Sequence, residues 1–238
     1  MSRKNYTEFL ESNTQLVWYG RFKQLFASLF AVYVLTISAF IVVAIISRLK
    51  KIPIAYLTRD PAAILGQPFY IGLLSNIGIL LWCSCAAICI FSFFVLKKDI
   101  KKKESKFLLF SGLLSSILLI DDLLMVHEDV FPNYLHISEK LFFLGYAVIL
   151  SLYLINFVET IVKTDFIILI LAFAFFGMSI VSDTLFSNIN NNYMFLFEDG
   201  AKLLGIVTWF IYFARVCMNK IKYNQNVSSL VVCKTKLS

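Results

Sequence analysis

Histidine and charge are what this sequence has least of. Two histidines among 238 residues are too few for a catalytic site built on three imidazoles. Charged residues make up 16% of the chain, against about a quarter in a soluble domain, and the segments outside the apolar runs are short connectors. No part of the chain is therefore expected to build a large soluble domain. The five cysteines form no framework: Cys83, Cys85 and Cys89 share one apolar run, while Cys217 and Cys233 lie at or beyond the last one. A thiolate metal site usually needs two close pairs, so these residues read as small packing groups. No G-x-S-x-G, phosphate loop or nucleotide fingerprint occurs. The His127-Glu128-Asp129 triplet lacks the second histidine of a metalloprotease helix, since Phe131 stands there. A cleavable leader is not expected either: the first 24 residues mix polar and aromatic side chains, and the apolar run behind them is too long for a signal core.

Long apolar runs are what the chain has in abundance, with 59% of its residues hydrophobic. About 20 apolar residues in a helix cross a hydrocarbon core of roughly 30 Å. Six runs approach or meet that requirement: Leu25 to Ile46, Phe69 to Leu96, Phe107 to Ile120 with an extension to Val126, Leu141 to Val158, Phe166 to Ser182, and about Tyr193 to Ala214. The fold class expected is all-α, an integral membrane bundle of about six transmembrane helices. A segment of residues 1–24 precedes the membrane domain, 25–216, and a flexible polar tail, 217–238, follows it. Three of the four prolines fall between Pro53 and Pro68 and mark a loop.

Basic residues flank the runs, which suits lipid headgroups and orientation better than nucleic acid, despite a net charge of +7. With the N-terminus inside, the inner segments hold sixteen lysines and arginines and the outer loops five, Lys202 lying within a helix. Both termini are therefore expected in the cytoplasm. The bilayer is the expected partner, with a second copy or another membrane protein left open.

That orientation gathers the acidic residues of the later helices. Asp121 and Asp122 interrupt the third run, His127 and Glu128 lie at its exit, Asp183 ends the fifth, and Glu198 and Asp199 open the sixth. All fall in the extracytoplasmic half. At about 100° per residue, Asp121 and Glu128 share one stripe and Asp122 and Asp129 the next, with Ser111 and Ser115 below the second. Charges inside a membrane are costly and face the bundle interior. Carboxylates with an imidazole suit a divalent cation. Asp121, Asp122, His127, Glu128, Asp183, Glu198 and Asp199 are thus the candidate ligands of a cation site between helices three, five and six. Lys202 follows Glu198 by four residues, the spacing of a structural ion pair within one helix.

Two classes of function follow. One is cation or proton transport, or metal-assisted hydrolysis of a lipid. The other is a non-enzymatic membrane component whose polar cluster is structural and whose loops dock a partner. Ser111, Gly112, Ser115 and Ser116 would allow close helix approach in either case.

Overall fold

The computed structural model describes residues 29–30, 33–186 and 192–235, with the side chains of 139–140, 183–186, 192–194 and 227–235 left out. The segment expected before the membrane domain, residues 1–24, lies outside the described residues. Every regular element among those described is helical. The chain divides into two units, one ending at Ile71 and the other beginning at Gly72.

The first unit holds α1, Tyr33–Lys50, and two single-turn helices, α2, Ala55–Thr58, and α3, Pro61–Ile64. α1 is apolar on every face, and none of its span is buried. Such a helix needs lipid around it. The short α3 starts where Asp60 accepts from the backbone N–H groups of Ala62 and Ala63, with Pro61 in its first turn. Proline suits that position because its missing N–H would be unpaired there anyway.

The second unit contains α4, Leu73–Leu96, α5, Lys102–Leu124, a π-helix, Val126–Tyr134, α6, Glu139–Ile161, α7, Phe166–Phe186, and α8, Asn192–Thr235. Among the described residues, four of its helices are long and apolar enough to cross a membrane, which with α1 makes five. α7 has a shorter apolar stretch, Phe166–Ser182.

Small residues set how closely the helices pack. The buried side of α4 runs Gly78, Trp82, Cys85, Cys89, Ser92, Leu96, an alternation of four and three residues that makes a seam along a neighbouring helix. Ser105, Leu108, Gly112 and Ser115 form the facing seam of α5. A Cβ at Gly112 would lie 2.6 Å from Ile90 Cγ1 and 3.3 Å from the Ala86 carbonyl oxygen. Glycine lets α4 come this close without Ile90 having to shift, and the small-residue stripe of the third run does face a helix. With no hydrophobic drive between helices in lipid, such close packing is a principal source of association. The outward side chains, among them Phe91, Phe94, Leu113 and Ile117, are large, apolar and exposed, as a lipid-facing surface requires.

α8 supplies the other half of the core. Trp209, Tyr212 and Phe213 are fully buried. Trp209 meets Trp82 of α4 edge to face at 5.9 Å and Phe173 of α7 at 5.8 Å. α6 joins through Tyr153 and Phe157, which pack on Phe107 of α5. The continuation of α8 through Thr235 covers most of the segment that reads as a flexible tail from its polarity. Lysine, arginine and glutamine are good helix formers, so the loss of hydropathy after Ala214 marks the end of an apolar stretch and not of a helix.

α5 does not run straight through its polar end. Met125 takes a left-handed conformation, φ 49°, which costs a non-glycine residue about 1–2 kcal/mol. The chain then winds into the π-helix, where Val130 N–H bonds back five residues to Met125 O and Leu135 N–H to Val130 O. This break overturns the two stripes expected beyond Asp122. His127 does not lie a turn and a half further along one helix; it folds back toward Asp121.

Candidate functional site

Asp121 makes the turn possible. Its Oδ1 accepts the backbone N–H of His127 at 3.0 Å and lies 2.9 Å from His127 Nδ1. One carboxylate oxygen thus both caps the broken helix and holds the ring. Both residues are buried, Asp121 at 6% and His127 at 9% exposure. The ring is walled by Phe142, stacked at 5.9 Å, and Phe143, at 5.5 Å, both from α6. On its far side, His127 Nε2 is 3.4 Å from Glu128 Oε1, and Glu128 is largely exposed.

Burial alone would push the His127 proton off. The hydrogen bonds to Asp121 and Glu128 outweigh it and raise the pKa from 6.5 to about 9. In turn, the His127 hydrogen bond holds the Glu128 carboxyl below its ordinary value. At neutral pH the His127 ring therefore keeps its proton.

Asp122 faces the other way, into the helix bundle. Lys202 Nζ of α8 reaches its Oδ1 at 2.9 Å, and Trp82 Nε1 of α4 donates to its Oδ2 at 2.9 Å. One side chain ties three helices. Beneath it, Trp82 stacks on Phe176, and Trp209 Nε1 donates to Ser115 Oγ at 3.1 Å. Both indole N–H groups are thus spent on the polar stripe of α5.

The ion pair that the structure gives Lys202 runs to Asp122 on another helix, a partner that the four-residue spacing from Glu198 did not point to. Glu198 is half-buried and has an interaction of its own. Asp199 is exposed, and the side chain of Asp183 lies outside the described residues. His136 is exposed with φ 56°. Asp129 accepts from Asn133 Nδ2 at 2.7 Å. Of the seven candidate ligands, the structure links Asp121 and Glu128 through the His127 ring, while Asp122 turns away to Lys202 and Trp82. Among the described residues no three His, Cys, Asp or Glu side chains converge as a metal site needs. α4, through Trp82, is a contributor that acidic residues could not reveal. An indole in mid-span was the available signal, because its buried N–H must find an acceptor.

Four or more membrane-crossing helices around an internal charge network define a polytopic helical membrane protein. The chain belongs to the family described as a domain of unknown function, DUF8692, whose family model matches residues 27–216. No curated protein and no solved structure matches it.

Proposed function

We propose that the network at the end of α5 is a protonation site and that the protein is a carrier exchanging a proton for a cation there. One observation carries this reading: adjacent carboxylates are neutralised by cations of two kinds. Asp122 has the permanent charge of Lys202, while Asp121 has the titratable charge of His127. Loss of the His127 proton leaves a buried carboxylate uncompensated, which is strongly unfavourable. A cation arriving at Asp121 and the exposed Glu128 would restore the balance by replacing that proton. Proton and cation then compete for one negative site, the requirement of an exchanger. The excess of basic residues on the opposite segments supports an extracytoplasmic position for this end, with both termini cytoplasmic.

The test is flux. Purified protein in liposomes containing a pH-sensitive dye should dissipate an imposed pH gradient when sodium, potassium or a divalent cation is added outside. Asp121→Asn and His127→Gln should abolish that response while remaining folded. Wild-type liposomes no faster than empty ones with every cation would reject the carrier reading.

A structural reading has one observation in its favour. Every buried side-chain nitrogen or oxygen among the described residues has a hydrogen-bond partner, as a network serving only to join helices would. It requires Asp121→Asn to be neutral or stabilising, since an amide is cheaper to bury than a carboxylate.

A further inference from the structure

The opposite end of the same bundle carries a basic cavity. Its volume is about 180 Å³, and its walls include Lys101, Lys103, Lys163, Lys220, Glu104 and Glu159, with Thr160 and Thr164. A single water needs only about 15 Å³ by this kind of measure, so the space suits a polyatomic group. We propose that it is a binding site for the phosphate headgroup of an anionic phospholipid.

Charge is the first argument. Lys103 is paired with Glu159 and Lys220 with Glu104, each at 2.7 Å. Lys101 and Lys163 have no ion-pair partner among the described residues. The cavity lining therefore has two more lysines than carboxylates, and the Thr160 hydroxyl stands beside them, that of Thr164 being bonded to the Ile161 carbonyl. Ammonium groups suit a phosphate as charge-assisted donors.

Depth is the second argument. Lys101 precedes the span Lys102–Leu124, and Lys163 and Thr164 follow the span Leu141–Ile161. The cavity thus sits where apolar helices give way to polar chain, at the level of headgroups. In the last two turns before the cavity, α6 exposes Ile155 and Val158, a surface along which acyl chains can lie. A soluble phosphate ester would use the lysines but not that surface. Basic pockets between membrane helices are a recognised setting for anionic headgroups.

The experiment uses full-length protein in phosphatidylcholine nanodiscs, with phosphatidylglycerol added in one arm and inorganic phosphate in the other. Native mass spectrometry counts retained lipid, and thermal unfolding reads stabilisation. The expected result is saturable retention of one phosphatidylglycerol per chain with a rise in Tm, and no comparable effect of phosphate. A direct ammonium–phosphate contact inside the cavity contributes at least about fivefold in affinity. Lys101→Gln with Lys163→Gln should therefore weaken retention at least roughly 25-fold, whereas Lys98→Gln with Lys102→Gln, outside the cavity lining, should leave it within about twofold. Wild type that retains phosphatidylglycerol no better than phosphatidylcholine would overturn the proposal, whatever the variants do. Equal loss in both double variants would reduce the effect to general surface charge and overturn the site. Stabilisation by inorganic phosphate equal to that by phosphatidylglycerol would overturn the lipid assignment in favour of a soluble phosphate ligand.

Discussion

Lys202 on α8 and Asp122 on α5 are 80 residues apart in the chain and 2.9 Å apart in space. The pair is partly shielded, with 38% of the lysine side chain and 11% of the aspartate exposed. Exposed pairs contribute about 0–1 kcal/mol, and removing one partner of a fully buried pair costs about 3–5 kcal/mol. Lys202→Ala should fall between, near roughly 2 kcal/mol by denaturant or thermal unfolding in detergent. Adding Asp122→Asn should recover part of that loss, and adding Glu198→Gln should recover less. Losses that are strictly additive for Lys202 and Asp122 would mean that the contact carries no coupling.

The His127 turn makes stability depend on pH. Its folded pKa, about 9, lies above the ordinary 6.5. A raised value means that the stabilisation is complete below 6.5 and is lost as pH climbs through 9. Tm should therefore decline across that window, by the equivalent of at most about 3 kcal/mol. His127→Gln should flatten the decline. A wild-type profile unchanged from pH 6 to 10 would show that the imidazole does not carry this charge.

The two indoles differ in what they lose on truncation. Trp82→Phe strands an oxygen of a carboxylate and should cost about 1–3 kcal/mol, while Trp209→Phe removes a bond to a neutral hydroxyl worth about 1 kcal/mol. Both also lose one ring of a buried indole and leave a cavity of similar size, so the difference between the two variants reports the hydrogen bonds. Unfolding measurements that rank them in the reverse order would put the Asp122 bond in doubt.

Gly112→Ala should separate α4 from α5, because its Cβ would meet Ile90 at 2.6 Å and the α4 backbone at 3.2 Å. Overpacking of this kind costs roughly 1–3 kcal/mol. Gly145→Ala, whose Cβ meets nothing within 4 Å, is the matched control and should be neutral or mildly stabilising. Equal stability of the two variants would indicate that the helices have room to adjust.

Orientation is open to direct labelling. In a protein stripped of its own cysteines, Tyr134→Cys should react with an impermeant thiol reagent added outside cells, and Lys102→Cys and Gln225→Cys should not. All three positions are exposed. Ser105, a natural choice from its place beside the lysine block, is buried and would mislead. Labelling at Lys102 in intact cells would invert the topology.

What could be read without the structure follows from range. Crossing a bilayer needs a run of apolar residues, so the long helices announce themselves in one dimension. Asp121 and Asp122 also stood out, being short charged side chains with Leu123 to Val126 still ahead. Their partners did not. The spacing of Glu198 and Lys202 is a local signal, whereas the meeting of Lys202 with Asp122 depends on how far α8 slides along α5. Nothing in either segment encodes that register by itself. The turn at Met125 was equally hidden, because methionine has no preference for positive φ; the conformation is held by Asp121 from outside the residue that adopts it.

The length of α8 gives the molecule a drive shaft. Lys202 grips the acidic network at one end, and Arg215 and Lys220 grip Asp165 and Glu104 at the other. Lys202 and Lys220 are separated by about 27 Å of unbroken helix. A helix this long is stiff to twist and to compression, so a rotation that frees Lys202 from Asp122 must also pull at the clamps beyond Arg215. Events on one face of the bilayer would then be felt mechanically on the other, without any ion passing between them.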